Sequence, residues 1–303
     1  MSMPLLNDLE AVTEHAQRFY ADALLKELQS DILQTAKHAD RARIRSCAGP
    51  KSAAWLNCIP RIPLFKLNPT DFRCCVRLRL GLPQLAIRTD VPCKCGSLPD
   101  ALGIHYLTCS AGNHLKNRHE LVVKGFHEMV RATGRHSQIT QLEEHLAGYH
   151  NSRGDRLVLD HVLHDWTPTR EDLACDYAIC HPCAALYLPT AKDTDLGAAT
   201  KRAADKVTKY DAPCKAHDMV FQAPIIEVFG AMNKSAEDLI KTAAKLVKNE
   251  LADGTVTTWT ADSFAAFHQQ RIAITLQRAN AKTIRYRALR DFQASTYLGV
   301  APP

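Results

Sequence analysis

Three cysteines and a histidine lie close together in the stretch CKCGSLPDALGIHYLTC, which runs from residue 93 to residue 109. Cys93, Cys95, His105 and Cys109 form the pattern C-x-C-x9-H-x3-C. Tetrahedral Zn²⁺ is held by four ligands of these types at about 2.0 to 2.3 Å, and two closely spaced pairs joined by a loop supply that geometry. The spacing predicts a zinc knuckle. Because the protein supplies all four ligands, the zinc should be structural, since catalytic zinc keeps a position open for water.

The alternative is that these cysteines are small buried thiols and that the histidine is merely hydrogen-bonded. The loop between the two pairs contains Gly96 and Gly103, which suits a turn around an ion better than a strand in a core. A second site is conceivable at Cys180, His181 and Cys183. That group offers one local pair without a clear second pair, so the sequence does not favour it.

Three acidic residues lie inside otherwise apolar runs. Asp160 is in RLVLDHVL, Asp176 is in LACDYAIC and Glu227 is in PIIEVFG. An unpaired carboxylate in an apolar strand is costly unless it meets a cation or a metal. Phosphodiester hydrolysis uses carboxylates that hold Mg²⁺ against the scissile phosphate, together with a cation that stabilises the extra charge of the transition state. The acids on successive strands therefore predict a shared positive partner.

That partner is predicted on the next helix, in the sequence DKVTKY, which contains Lys206, Lys209 and Tyr210. The two lysines are spaced i, i+3, which places them on one helical face. Each feature also has a structural explanation, since lysines on a helix commonly form a solvated face and Glu227 could form an ion pair without a catalytic role.

Apolar periodicity predicts the elements that position these residues. A long amphipathic helix is expected over residues 5–38, and a Pro-rich ordered connector follows it. Further helices are expected at 118–134, at 197–213 with an end at Pro213, at 234–252 and at 262–292. Strands are expected at 156–163, 173–180 and 223–230. These elements predict an α/β fold.

The composition is that of a globular protein, with 46% hydrophobic and 23% charged residues in 303. The sequence lacks a recognisable secretory signal and a long apolar segment, so an intracellular protein, nuclear or cytoplasmic, is expected. In such a reducing compartment the 11 cysteines should be thiols or metal ligands.

The net charge of +6 is concentrated near the C-terminus, where six basic residues and no acidic one lie between Phe264 and Arg290. A helix through this segment would align four of the basic residues on one face, and these are predicted to contact nucleic-acid phosphates: Arg271, Arg278, Lys282 and Arg285. The alternative is a solvated basic flank without a ligand.

The order of these motifs resembles a known family. The knuckle is followed by the pair Arg118 and His119, then by the two strands with Asp160 and Asp176, and then by K-x-x-K-Y from Lys206 to Tyr210. This order is similar to the restriction-enzyme-like endonuclease region at the C-terminus of reverse transcriptases of site-specific non-long-terminal-repeat retrotransposons. The chain is also similar to related retroelement-like proteins of protists and algae. The resemblance extends over residues 40 to 290 of this chain.

The resemblance implies a PD-(D/E)xK nuclease core, a mixed sheet flanked by helices, that nicks DNA so that the freed 3′ hydroxyl primes reverse transcription. It implies that Asp160 and Asp176 bind catalytic Mg²⁺ and that Lys206 orients water or stabilises charge, with Lys209 and Tyr210 close by. Arg118 and His119 would face nucleic acid. The implied partners are DNA or RNA and a reverse transcriptase, and the N-terminal helix could serve a homodimer.

The chain departs from the family pattern at two places. Leu159 precedes Asp160 where the family has proline, so Asp155 is a competing first ligand, and Glu120 stands where the family has asparagine. Two functions are therefore carried forward. One is a metal-dependent DNA endonuclease, and the other is a catalytically inactive nucleic-acid-binding or structural protein that retains the fold.

The expected organisation has five segments. In chain order they are an N-terminal amphipathic helical segment (1–45), the Pro-rich connector (46–92), the zinc knuckle (93–117), the endonuclease-like core (118–230) and a C-terminal basic helical segment (231–303).

Overall fold

The computed structural model describes residues 16–139, 146, 148–150, 154–247, 261 and 263–297. In this part the protein has a mixed α/β structure in which helices cover short strands, as the sequence predicted. The helices are α1 (Ala16–Thr35), α2 (His38–Ala48), α3 (Pro69–Leu80), α4 (Ile104–Thr108), α5 (His114–Arg131), α6 (Leu188–Ala191), α7 (Gly197–Lys215), α8 (Lys234–Leu246) and α9 (Phe264–Tyr297). The strands are β1 (Ser137–Ile139), β2 (His161–Leu163), β3 (Asp172–Cys175), β4 (Ala178–Cys180), β5 (Met219–Gln222) and β6 (Ile225–Glu227).

Four strands form one sheet in the order β1-β2-β3-β5. The pairs β1–β2 and β2–β3 are antiparallel, and β3–β5 is parallel. Shortly after β3 and β5 the chain forms a second parallel pair, β4 with β6. Parallel strands need a crossover connection. Helix α7, which lies between β4 and β5 in the chain, belongs to the crossover of both parallel pairs, β3–β5 and β4–β6.

The two faces of the four-stranded sheet pack against different helices, because successive side chains of a strand point to opposite faces. Leu163 and Leu173 belong to a core cluster with α5, α8 and α9. Val162 and Ala174, which lie opposite one another in the register of β2 and β3, belong to a cluster with α6 and α7. The acidic residues predicted to be functional therefore lie between two apolar layers.

A third core cluster joins the connector, the knuckle and the C-terminal helix. It contains Trp55 and Phe65 from the connector, Tyr106 and Leu107 from α4, and several residues of α9 that include Ile284. The segments 46–92, 93–117 and 231–303 thus share one core.

Some boundaries differ from the prediction. The expected N-terminal helix is described from Ala16 onward, where it is divided into α1 and α2, and residues 1–15 lie outside the described part. The expected strand at 156–163 is a strand only from His161. Helix α7 continues past Pro213 to Lys215, so the end expected at the proline falls two residues later. Within the described ranges, no helix has the length and apolar composition needed to cross a membrane.

Candidate functional site

The four predicted zinc ligands converge. One ligand atom from each of Cys93, Cys95, His105 and Cys109 lies within 4.8 Å of the others, and Cys95 Sγ is 3.5 Å from His105 Nε2. In a tetrahedron with arms of about 2.3 Å, the ligand atoms are about 3.8 Å apart. The donor set therefore fits a metal ion such as zinc after a small contraction. In the part of the chain that the structure describes, no other group of three or more such side chains is placed to hold a metal.

The loop between the ligand pairs is shaped by two glycines and an aspartate. Gly96 and Gly103 have φ values of +87° and +86°, a left-handed conformation that favours glycine. The carboxylate of Asp100 accepts hydrogen bonds from three backbone N–H groups at the start of α4, including that of His105 at 2.6 Å. Asp100 therefore fixes the short helix that presents His105 to the cysteines.

The local electrostatics suit thiolate ligands. Hydrogen bonding from the backbone N–H of Ser97 lowers the pKa of Cys95 to about 7. Burial raises the pKa of Cys93, but its Sγ accepts a hydrogen bond of 2.9 Å from Arg287 Nη2, which favours the thiolate. Burial lowers the pKa of His105, so its ring is neutral near pH 7, as a metal ligand must be.

A second group brings together Asp160, Asp176 and Lys206. The ammonium of Lys206 donates a hydrogen bond to Asp176 Oδ2, and the carboxyl groups of Asp160 and Asp176 are close enough to perturb each other's pKa. Asp176 and Lys206 are only 5% and 8% exposed, whereas Asp160 is partly exposed. The sequence left open whether Asp155 was the first acid, and it is Asp160 that lies beside Asp176, while Asp155 is exposed.

The sheet explains this convergence. Asp160 immediately precedes β2, and its backbone N–H donates to Cys175 O at the end of β3. Asp176 follows that cysteine in the short break between β3 and β4, where its own N–H donates to Gln222 O on the other side. The two acids therefore sit on neighbouring strands at the same level of the sheet, and the crossover helix α7 places Lys206 over them.

These three groups perturb one another. Burial raises the pKa of Asp176 to about 6; Lys206 opposes that shift and the charge of Asp160 adds to it. Burial would also raise the pKa of Asp160, but the hydrogen bond and charge of His119 outweigh it and leave that pKa below its ordinary value. Burial lowers the pKa of Lys206. Two carboxylates and one ammonium in a buried site carry one net negative charge, which favours the binding of a cation.

His119 is the outer member of this group. Its Nε2 is 3.1 Å from Asp160 Oδ2 and 3.2 Å from Tyr177 O. Burial works against the imidazolium, but Asp160 outweighs it, so the pKa of His119 is raised. His119 thus holds the Asp160 carboxylate ionised and oriented.

Tyr210 and Lys209 support the strand that carries the first acid. The hydroxyl of Tyr210 donates to Val158 O at 3.1 Å and accepts a hydrogen bond of 3.0 Å from Lys209 Nζ. The Tyr210 ring is buried against Phe221 of β5, with ring centroids 5.5 Å apart. These contacts fasten α7, and hence Lys206, to the chain just before Asp160.

Glu227 occupies a different place from the other predicted acids. It lies on β6, 1% exposed, and its Oε1 accepts a hydrogen bond of 3.1 Å from the backbone N–H of Ala199 near the start of α7. A carboxylate at a helix N-terminus pairs with free N–H groups and with the positive end of the helix dipole. The structure therefore gives Glu227 the role of anchoring α7.

Arg118 was expected to face nucleic acid, and the structure corrects this expectation. Its side chain is buried, and its guanidinium donates to Leu107 O at 3.0 Å and to Asn280 Oδ1 at 3.1 Å. A guanidinium enclosed in this way cannot reach an external phosphate. Arg118 instead joins α5 to the knuckle and to α9.

The basic helix α9 also lies inside the protein rather than along its surface. Arg271 pairs with Glu128, Arg285 is 2.5 Å from Asp71 Oδ1, and Arg278 donates to two connector carbonyls at 2.8 Å. Lys282 is exposed. The three arginines predicted to contact phosphate thus hold α9 in place, while Lys282 is exposed and 37% of the Arg285 side chain also faces solvent.

An open cavity of 540 Å³ lies beside the acidic group, and its lining includes Asp160 and His119. Lys116 and Lys124 of α5 also line it, and both lysines are largely exposed. Glu120 also lines the cavity and pairs with Lys116, so the lining carries charges of both signs. Lys124 lies within the helix predicted over residues 118–134, but no sequence signal connected either lysine with the acids.

The cysteines and histidine at residues 180–183 do not form a second metal group. His181 is buried and its Nδ1 accepts a hydrogen bond of 3.2 Å from the Cys183 backbone N–H. Cys183 Sγ donates to Ala39 O at 3.3 Å. These groups connect the loop after β4 with α2.

No protein-family model matches this chain, and no curated protein matches it significantly. The function must therefore be inferred from the motif order and from the geometry of the two sites.

The raised pKa of Asp176 predicts how stability depends on pH without metal. A carboxyl whose pKa is higher in the folded state stabilises the fold fully below the unfolded value near 4, and this stabilisation is lost as pH rises to about 6. A shift of about two units corresponds to roughly 3 kcal/mol. Relative to Asp176→Asn, the wild type should therefore lose free energy of unfolding between pH 4 and 6.

Urea unfolding in EDTA at several pH values measures this difference. Adding Mg²⁺ should reduce the loss in the wild type, because a bound cation would hold Asp176 ionised. A difference between the two proteins that stays constant with pH would show that Asp176 is not the titrating group.

Proposed function

We propose that the protein is a metal-dependent DNA endonuclease that nicks phosphodiester bonds, with a structural zinc knuckle beside its core. The observation that carries the proposal is the convergence of Asp160 and Asp176, from two neighbouring strands, with the ammonium of Lys206 from the following helix. The cavity with Lys116 and Lys124 gives a polyanion access to Asp160. The restriction-enzyme-like endonuclease region of retrotransposons, which the motif order resembles, supports the same conclusion.

The two carboxylates suit Mg²⁺, which is commonly held by one or two carboxylates together with water and substrate phosphate. Asp160 and Asp176 would hold the Mg²⁺, which would supply Lewis-acid polarisation of the scissile phosphate. In the hydrolysis a water oxygen bonds to phosphorus, the bond from phosphorus to the 3′ oxygen breaks, and that oxygen takes a proton. Lys206 would orient the water or stabilise the added negative charge, and His119 would keep Asp160 ionised.

Nicking of supercoiled plasmid DNA by the purified full chain tests the proposal. Nicked circles should accumulate with Mg²⁺ and not with EDTA. Lys206→Met should slow nicking on the order of 10²-fold, because it removes the buried cation that would stabilise the added negative charge of the transition state. Lys201→Met is the matched control, since Lys201 lies on the same helix and donates to Leu186 O at 3.0 Å, away from the acids.

If the wild type fails to nick with Mg²⁺, or if Lys206→Met nicks as fast as the wild type, hydrolysis at this site is excluded. The protein would then belong to the second class, a nucleic-acid-binding or structural protein that keeps the fold.

A further inference from the structure

Arg287 of α9 is enclosed by the zinc knuckle. Its side chain is 0% exposed, and it is among the largest fully buried side chains described. Nη2 donates to Cys93 Sγ at 2.9 Å, and Nη1 donates to Cys109 O at 2.9 Å and to Tyr106 O at 3.2 Å. The guanidinium carbon lies 5.2 Å from the centroid of the Tyr106 ring. Arg287 thus contacts one predicted ligand through its sulfur and another through its backbone.

None of the hydrogen bonds that Arg287 makes within the described part of the chain goes to a carboxylate, and one of them goes to the sulfur of a predicted metal ligand. On the same helix Arg271, Arg285 and Arg290 pair with carboxylates, whereas the hydrogen bonds of Arg287 go to a sulfur and to carbonyl oxygens. A buried cation is costly without a compensating negative charge. Three thiolates and one neutral imidazole around a divalent ion carry one excess negative charge, and this charge would compensate Arg287.

We propose that Arg287 is a positioning residue of the metal centre, whose guanidinium neutralises the excess thiolate charge and ties the C-terminal helix to the knuckle. The proposal concerns the metal centre and does not depend on nuclease activity. A hydrogen bond to a zinc-bound thiolate disperses its charge and opposes its protonation and release. The two bonds to backbone carbonyls hold the segment that carries His105 and Cys109. Metal binding and the position of α9 are therefore coupled.

The expected result is that Arg287→Gln weakens zinc binding by about 10- to 100-fold, the usual effect of removing a hydrogen-bonding partner of a metal ligand. Competition against a fluorescent zinc chelator of known affinity, with the full chain, measures this change. Arg79→Gln is the control, because Arg79 is a partly buried arginine of α3 that donates to Ser52 O at 3.2 Å and to Cys47 O at 2.7 Å. It removes the same kind of carbonyl contact without touching the knuckle.

A loss of less than about tenfold in Arg287→Gln, or an equal loss in Arg79→Gln, would overturn the proposal. If Arg287→Gln does not fold, Arg287→Met decides the question with Co²⁺ as the probe, because methionine keeps a long unbranched side chain but has no N–H donor and no charge. A hydrogen bond stabilises the sulfur lone pairs, so losing it should move the thiolate-to-cobalt charge-transfer band to longer wavelength. An unchanged band in Arg287→Met would show that Arg287 does not act on the thiolate.

Discussion

Asp176→Asn is expected to lower Mg²⁺-dependent nicking by at least about 10³-fold, the rate equivalent of several kcal/mol of lost charge stabilisation. The substitution keeps the shape of the side chain but removes the charge that would hold the cation. It also deprives the buried Lys206 ammonium of its closest anionic partner. Initial rates of plasmid nicking over a series of Mg²⁺ concentrations measure the effect, and raising Mg²⁺ should restore little of the activity.

Asp172→Asn provides the matched control. Asp172 lies four residues earlier, at the start of β3, and its carboxylate is 2.8 Å from His164 Nδ1 in a partly exposed contact outside the acidic group. This variant should nick at close to the wild-type rate. Breaking a buried ion pair can cost roughly 3–5 kcal/mol, so both variants must be shown to be folded by thermal denaturation at the assay temperature. If a folded Asp176→Asn protein retains more than a tenth of the wild-type rate, Asp176 is not a metal ligand of the reaction.

The acidic group could be predicted because its residues violate the local pattern. A carboxylate inside an apolar run has few stable solutions, so Asp160 and Asp176 were recognisable without knowledge of the sheet. Glu227 violates the pattern in the same way, yet it contacts the start of α7. Whether such an acid joins the acidic group or contacts a helix N-terminus depends on which helix packs against its strand. Strand pairing decides this, and the local sequence does not encode it.

For the basic helix α9, the sequence-based prediction overestimated how much of the helix is exposed. Its surplus charge predicted a nucleic-acid surface, although apolar residues lie on all of its sides, and a helix that is apolar all round is normally buried. Ile272 and Leu276 pack into the first core cluster, while Ile274 and Ile284 pack into the third. Long arginine side chains can cross such a core and donate to carbonyls and acids at its edge. Charge counts alone therefore overestimated how much of α9 faces solvent.

The cysteine and histidine side chains that could hold a metal were predictable from their spacing, because a short loop limits where four side chains can go. The contact between Arg287 and the knuckle was not predictable, although the sequence placed Arg287 in the basic segment. It lies 194 residues from Cys93, and only the packing of α9 against α4 brings the two together. Long-range partners of this kind leave no periodic signal in a single sequence.

Cys95→Ser is expected to lower the free energy of unfolding of the zinc-loaded protein by at least about 3 kcal/mol, because loss of a metal ligand is among the few causes of large destabilisation. Cys95 is the sharpest position for this test because it is exposed. An exposed cysteine without a metal could be replaced by serine at a cost within about 0.5 kcal/mol. The other cysteine ligands are more buried, so their replacement would also disturb packing.

Thermal and urea denaturation with and without a strong chelator separate destabilisation by loss of the metal from destabilisation by disturbed packing. After chelation the wild type and Cys95→Ser should unfold alike, since neither then has the metal. Cys58→Ser, at a partly exposed cysteine outside the knuckle, should match the wild type under both conditions. The effect should also reach the third core cluster, because Tyr106 and Leu107 between the ligands pack there against α9. If zinc-loaded Cys95→Ser is as stable as the wild type, the knuckle is held by its core contacts alone and the four side chains do not form a structural metal centre.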